Sequence, residues 1–251
     1  MIAPQVLFED SDILMIEKPA GYVTNRADTT INHPTIQEWA EKKLRIQNSE
    51  FKTSDESEFE KRGGIVHRLD KETSGILIIA KNQESFENLQ KQFKDGRVKK
   101  TYIALCHGEI KPATGEVNIP IGRLPWNRMR FGVLPQGRQA KTRYRVISNY
   151  QLPITNFNSK KPKSIETLSL VEAYPETGRT HQIRVHMQYL KHPIFADALY
   201  AGRKVSKRDR KLLPRHFLHA TKITFEHPQT GERVEFESKL PSDLQDFLAT
   251  L

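Results

Sequence analysis

The sequence contains a single cysteine, Cys106, among its 251 residues. An internal disulfide is therefore impossible, and a metal site built from several cysteines is excluded. No stretch approaches the roughly 20 consecutive apolar residues that a membrane-spanning helix needs. The first residues also lack the basic-then-apolar order of a secretory signal. We therefore expect a soluble cytoplasmic protein, without membrane contact, in which Cys106 is a buried thiol.

The sequence has no excess of acidic residues. Forty Lys and Arg face thirty Asp and Glu, which gives a net charge of +10. This balance favours a polyanionic partner, with nucleic acid as the first candidate, although charge alone is also compatible with a basic soluble protein of another kind. The length allows one large domain or two small ones.

Short apolar runs outnumber helical patterns along the chain, and the two do not alternate in strict βαβ order. This predicts an α+β fold with a mixed, largely antiparallel sheet and flanking helices. Two polar segments without periodicity, 47–62 and 156–164, are predicted to be loop insertions. The predicted strands are 6–8, 13–16, 76–80, 100–106, 142–148, 168–173 and 217–225. The predicted helices are 35–46, 83–92, 180–190 and a last one capped by Ser242.

The segment 67–75 carries the most specific pattern of the chain. It reads HRLDKETSG and places the carboxylate of Asp70 between two cations. The apolar run ILIIA follows at 76–80 and is typical of a buried strand. A polar loop attached to a rigid strand often holds a catalytic group. An ion-paired surface turn is the alternative.

Five blocks together resemble, in the same order, the motifs of the RluA-type pseudouridine synthases, and they span nearly the whole chain. The blocks are EKPAG at 17–21, HRLDKETSG at 67–75, KTYIA at 100–104, GRTHQIRVHM at 178–187 with its continuation to Asp197, and LHA at 218–220 with its continuation to Gly231. One block alone would be suggestive, whereas five in order are a specific signal.

The resemblance implies the pseudouridine synthase fold, a mixed sheet with a central cleft, and an enzyme that isomerises uridines of rRNA or tRNA. It implies one catalytic domain over residues 1–251, with no RNA-binding domain ahead of it. The isomerisation conserves all atoms, so no cofactor is expected. A monomer that binds an RNA stem-loop is the simplest expectation.

The resemblance also implies the site residues. Asp70 takes the catalytic position, where a carboxylate can stabilise positive charge developing on the ribose. Whether it attacks the sugar, attacks the base or removes a ribose proton is left open. Arg184 is expected to pair with Asp70 and keep it ionised, and Tyr102 to stack on the uracil. Arg68 is expected to enter the gap left by the flipped uridine or hold phosphates, and Leu218 to line the base pocket.

Positive charge is concentrated in two stretches that we expect to contact RNA phosphates. The stretch 122–145 has no acidic residue and interleaves Trp126 and Phe131, which offer planar faces to bases. The stretch 203–215 has Asp209 as its one acid. A solvated surface is the alternative reading. The predicted RNA-binding residues are Arg123, Arg128, Arg130, Arg138, Lys141, Arg203, Lys204, Lys207, Arg208, Arg210 and Lys211.

Other functions remain as alternatives. A non-catalytic RNA-binding protein of the same fold would keep the basic stretches but would not need Asp70, Tyr102 and Arg184 together. A glycoside hydrolase usually needs two carboxylates, and Glu72 is the nearest second acid. No His-Glu-x-x-His pattern is present, so no metal is expected. Of the histidines, His67 and His181 are expected to make structural hydrogen bonds near the loops.

Overall fold

The computed structural model describes residues 2–26, 33–47, 57–155 and 162–251, without the side chains of residues 45–47, 128, 155, 162 and 163. The described chain forms two compact units. The first comprises Met1–Lys99 and Ala220–Ser238, and the second comprises Lys100–His219 and Lys239–Leu251.

Strands and helices follow one another without regular alternation, as the sequence predicts. The strands are β1 (Gln5–Glu9), β2 (Ile13–Lys18), β3 (Ser74–Ala80), β4 (Lys99–His107), β5 (Thr114–Asn118), β6 (Ile121–Leu124), β7 (Asn127–Val133), β8 (Lys141–Thr155), β9 (Pro162–Pro175), β10 (Leu218–Glu226) and β11 (Arg233–Glu237). The helices are α1 (Ile36–Gln47), α2 (Glu58–Lys61), α3 (Gln83–Lys94), α4 (Gln182–Tyr189), α5 (Arg203–Asp209) and α6 (Ser242–Ala249).

The first unit is built on the strand order β1-β2-β3-β10, with β11 also paired to β10. The pairs β1–β2, β2–β3 and β10–β11 are antiparallel. Every residue of β3 is buried, as the uninterrupted apolar run at 76–80 predicts. Helix α3 covers this unit with Phe86 and Leu89 in the core. A rigid central strand therefore begins directly after the Asp70 loop.

The second unit contains the strand order β4-β9-β8-β5, all antiparallel, and a separate two-stranded hairpin, β6–β7. Its core combines these strands with one face of α4 and α6. The buried Cys106 belongs to this core, as predicted, and burial raises the pKa of its thiol. The α+β class and the largely antiparallel pairing are thus both confirmed.

Several local predictions differ from the structure. Strands β8 and β9 extend far beyond the predicted 142–148 and 168–173, because they form one long hairpin whose ends are polar. Of the predicted insertions, residues 48–56 and 156–161 lie outside the described residues, and helix α2 occupies part of 47–62. Ser242 does not cap the last helix, because Pro241 holds the N-cap position and Ser242 is the first helical residue.

No helix of the described residues is long and apolar enough to cross a membrane.

Candidate active site

The loop that carries Asp70 belongs to the first unit, and hydrogen bonds hold its backbone directly beside the carboxylate. The neighbouring Leu69 is buried, and the Thr24 hydroxyl donates to its carbonyl at 2.7 Å and accepts from its N–H at 3.1 Å. On the other side, the Thr73 N–H donates to the Asp70 carbonyl at 3.1 Å and closes a turn. Both backbone flanks of Asp70 are therefore fixed, while its side chain is half-buried and Arg68 is exposed.

A buried lysine holds the far side of this loop. Lys18 is 0% exposed, and its ammonium donates to the carbonyls of Thr73 at 2.8 Å, Pro19 at 3.0 Å and Lys71 at 3.2 Å. The Gly21 N–H also donates to the Lys71 carbonyl, at 2.8 Å. A buried ammonium needs such partners, because leaving its N–H groups unsatisfied would be costly. Lys18 thereby joins the opening block of the sequence to the Asp70 loop.

The loop can enter strand β3 only because residue 75 is glycine. Gly75 has a φ of +121°, which side-chain-bearing residues rarely adopt. A Cβ placed there would lie 2.2 Å from the Ala220 carbonyl oxygen. The glycine of the motif therefore has a backbone reason, because the chain at residue 75 lies too close to β10 for a side chain.

His67, at the start of the motif, has the structural role that the sequence predicts. Its Nε2 accepts a hydrogen bond from the Ile78 N–H at 3.0 Å, and its ring stacks on Phe93 with centroids 4.8 Å apart. The first residue of the loop is thus anchored to the strand that follows the loop.

Three other predicted site residues belong to the second unit. Tyr102 lies on β4, opposite Ala173 of β9, and is half-buried. Leu218 is buried at the start of β10, and both residues border the same apolar core. Arg184 lies within α4.

Arg184 is buried and held in place by Asp197, an acid to which the sequence assigned no role. The guanidinium Nε and Nη2 lie 2.7 and 2.9 Å from the two carboxylate oxygens. Burial raises the pKa of Asp197, but Arg184 outweighs burial and keeps this pKa below its usual value. The N–H groups of Leu199 and Tyr200 also donate to the carboxylate. This bidentate pair fixes the orientation of the Arg184 guanidinium.

His181, at the N-terminus of α4, is also structural, as predicted. Its Nδ1 lies 2.9 Å from the Tyr200 hydroxyl, which accepts from the Phe131 N–H at 3.0 Å. In the part of the chain that the structure describes, no three His, Cys, Asp or Glu side chains are grouped so that they could hold a metal ion.

The predicted RNA-binding residues of the stretch 122–145 lie mostly on or beside the β6–β7 hairpin. Arg123 stacks over Phe131 at 4.9 Å, and Arg130 lies 5.4 Å from the centre of the Tyr200 ring. Trp126, at the hairpin turn, is 76% exposed. Arg138 is exposed, and the side chain of Arg128 lies outside the described residues.

Strand pairing brings acids to this stretch that its own sequence lacks. Lys141 lies 2.9 Å from Glu116 and 3.5 Å from Glu176, and Arg143 lies 2.8 Å from Glu176. The charge of Lys141 is thus partly offset within the protein, a feature that only the β5–β8 pairing and the end of β9 reveal.

The second basic stretch forms α5 and the turn after it. Arg203, Lys204, Lys207 and Lys211 are exposed. Arg208 instead bonds to Asp209 at 2.7 Å and to Glu166 at 2.8 Å, and Arg210 donates to the Ala196 carbonyl at 3.1 Å. Arg203, Lys204 and Lys207 thus present their charge to solvent, whereas the charge of Arg208 is offset by Asp209 and Glu166.

Residues 12–189 match the profile of the family described as RNA pseudouridylate synthase. The chain belongs to this family.

The pseudouridylate synthase relatives include longer proteins. Ribosomal large subunit pseudouridine synthase D of Neisseria meningitidis serogroup B is 35% identical over 257 residues, which cover 100% of this chain and 62% of that protein. An RNA pseudouridine synthase of Bacillus subtilis is 34% identical over 246 residues, covering 98% of this chain and 72% of that protein. The chain thus spans less than two thirds of the Neisseria relative.

A solved structure supports the same fold. Human RNA pseudouridylate synthase domain containing 1 is 26% identical, with a TM-score of 0.69, over 98% of this chain and 87% of that one. The α+β pseudouridine synthase fold that the motifs imply is therefore confirmed.

Proposed function

We propose that this chain is an RNA pseudouridine synthase that isomerises uridines already present in RNA. The observation that carries the proposal is the Asp70 loop, whose backbone is fixed by Thr24, Lys18 and the Gly75 approach to β10. A carboxylate must be held accurately to stabilise a positive charge that develops on one ribose, since electrostatic stabilisation depends on preorganised groups.

The roles of the other residues complete the proposal. Arg184, whose guanidinium is oriented by Asp197, is proposed as the cation that keeps the Asp70 carboxylate ionised. Tyr102 holds the detached uracil by its face while the base turns and rejoins through carbon 5. Leu218 lines the base pocket, and Arg68 takes the space of the flipped nucleotide or holds its phosphates.

The substrate is proposed to be rRNA, with tRNA as the alternative. The Neisseria relative is named for the ribosomal large subunit, which makes large-subunit rRNA the first candidate. We also propose that residues 1–251 act as one catalytic domain and as a monomer, because one chain carries every residue named above. A cytoplasmic location is proposed because the Neisseria relative is named for the ribosomal large subunit. The exposed cations of the hairpin and of α5 would bind phosphates and set the register of the RNA.

A transcriptome-wide pseudouridine map, made in cells with and without the gene for this protein, tests the proposal. We expect one or a few uridines, first of all in large-subunit rRNA, to lose their modification when the protein is absent. Restoring the wild-type chain should restore them, and restoring an Asp70→Asn chain should not. Identical maps in all strains would contradict the proposed function.

A further inference from the structure

A groove of about 500 Å³ lies between the end of β7 and the end of α4, lined by Val133, Gln188, Tyr189 and Lys191. This volume is in the range of pockets that hold small ligands. The lining offers an apolar side chain, an amide, an aromatic ring and an ammonium group. None of these residues belongs to the proposed catalytic set.

Tyr189 is unusual in this lining because it is a large aromatic residue that is 51% exposed. The other side chains of α4 from Gln182 to Met187 are buried. An exposed aromatic ring beside a basic residue is the arrangement on which unpaired nucleobases stack in proteins that bind single-stranded nucleic acid.

Lys191 is held in a backbone conformation that is unfavourable for lysine. Its φ is +70°, and it follows the Leu190 C-cap of α4. Its N–H donates to the Gln188 carbonyl at 2.9 Å, and the His192 N–H donates to the Met187 carbonyl at 2.9 Å. This is the Schellman ending of a helix, in which the position of Lys191 is usually glycine.

A strained residue that is exposed and borders a groove points to a role beyond folding. A lysine at a helix C-terminus does interact favourably with the helix dipole. Asparagine or glycine would, however, satisfy the same two hydrogen bonds with less strain. The positive charge itself is therefore the property that distinguishes Lys191 from the residues that fit this backbone best.

We propose that this groove binds one unpaired nucleotide of the RNA substrate, outside the catalytic pocket. The base stacks on Tyr189 and packs against Val133, the Gln188 amide reads its polar edge, and Lys191 contacts the adjoining phosphate. The inference rests on the proposed function for the nature of its ligand. It adds to that function a site that distinguishes unpaired from paired RNA.

Binding measured at several salt concentrations tests the groove, with a short oligouridine and an RNA duplex of equal length as probes. We expect Tyr189→Ala to weaken oligouridine binding about tenfold, as loss of base stacking does, and to leave duplex binding nearly unchanged. Tyr189→Phe should bind as wild type does.

Lys191→Gly gives a prediction in which stability and binding move in opposite directions. The midpoint of thermal unfolding should rise by about 2–4 °C because strain is relieved. Oligouridine binding should weaken about threefold to fivefold, and its salt slope should fall by about 0.7, since one phosphate contact is lost. The matched control Lys42→Asn, an exposed lysine of α1 in the first unit, should change neither quantity by as much.

The groove assignment would be overturned if Tyr189→Ala bound oligouridine with wild-type affinity. It would also be overturned if Lys191→Gly and Lys42→Asn lost oligouridine affinity equally. The proposed reaction is judged separately, by pseudouridine formation in a transcript of large-subunit rRNA. If wild type forms no pseudouridine but oligouridine binding depends on Tyr189, the groove proposal is supported and the proposed reaction is contradicted. If pseudouridine forms but oligouridine binding does not depend on Tyr189, the proposed reaction is supported and the groove proposal is contradicted.

Discussion

Lys18 shows how a single residue controls the shape of the Asp70 loop. Its ammonium binds three backbone carbonyls, and two of them, Lys71 and Thr73, lie within three residues after Asp70. If the ammonium is removed, the Thr73 and Pro19 carbonyls lose this hydrogen bond, while the Lys71 carbonyl keeps the one from the Gly21 N–H. A buried group left unsatisfied costs about 1–3 kcal/mol. The loop therefore depends on a buried charge.

We expect Lys18→Met to lower the free energy of unfolding by about 3 kcal/mol. Turnover should fall further than this loss of folded protein explains, because the Asp70 carboxylate is no longer held at one position. Urea denaturation and pseudouridine formation at saturating RNA measure the two effects. Lys81→Met, which removes a mostly buried lysine paired with Glu9 at 3.0 Å, should lower stability and spare turnover. Equal turnover in the two variants would contradict the role of Lys18.

The sequence motifs predict some residues of the site and miss others. Asp70 and Arg184 are predicted as site residues because they stand in specific motifs. Lys18 and Asp197 also lie in the five blocks, but their roles depend on burial and on distant partners. Lys18 binds the carbonyl of a residue 53 positions away, and Asp197 pairs with an arginine 13 positions away. Lysine is rarely buried, so a sequence gives no reason to place its ammonium among backbone carbonyls.

At the scale of elements, a partly buried charge cluster attaches helix α5 to strands β4 and β9. His107 of β4 lies 2.7 Å from Glu166 of β9 and 2.9 Å from Asp209 at the end of α5. Arg208 bonds to the same two carboxylates. Two cations and two carboxylates thus meet in the protein, and the exposed cations of α5 depend on this attachment for their position.

This cluster predicts a pH dependence. Burial lowers the pKa of His107, but the carboxylates of Asp209 and Glu166 outweigh it and raise the pKa from 6.5 to about 9. The stabilisation is therefore complete below about pH 6.5 and is lost as the pH rises through about 9. At about 1.4 kcal/mol per pKa unit, His107 accounts for up to about 3 kcal/mol.

Urea denaturation of wild type and His107→Gln at a series of pH values checks this expectation. The free energy of unfolding of wild type should fall between about pH 6.5 and pH 9 more steeply than that of the variant. Parallel curves for the two proteins would show that His107 is not charged in the folded state.

Elements that are short and polar could not be predicted from the pattern of the sequence. Strands β5, β6, β7 and β11 and helices α2 and α5 lack an apolar run or a full helical period, and their residues are largely exposed or half-buried. Their structure comes from pairing, as in the β5–β8 ladder and the β6–β7 hairpin. Strands β2 and β3 and the buried second half of β4 were predicted because burial itself requires an apolar sequence.

For the whole molecule, the distribution of charge matters more than its sum of +10. Arg203, Lys204 and Lys207 are exposed on α5, and none of them makes an ion pair among the described residues. Lys141 and Arg143 instead face Glu116 and Glu176. Only the first group should release many counterions when RNA binds.

We expect the triple replacement of Arg203, Lys204 and Lys207 by Ala to weaken RNA binding and to reduce its salt slope by about two units. The double replacement of Lys141 and Arg143 by Ala is the control, and its slope should change by less than one unit. Affinity for a large-subunit rRNA transcript, measured from low to high salt, gives both slopes. A larger change in the control would place the RNA face elsewhere.

Binding and chemistry should therefore be separable, since the phosphate contacts and the reacting carboxylate are different groups. The most direct measurement compares Asp70→Asn with Glu72→Gln, using purified protein and the RNA that the pseudouridine map identifies. We predict that Asp70→Asn binds this RNA within about twofold of wild type and forms no pseudouridine, while Glu72→Gln keeps both properties. Pseudouridine formation by Asp70→Asn at the wild-type rate would contradict the account.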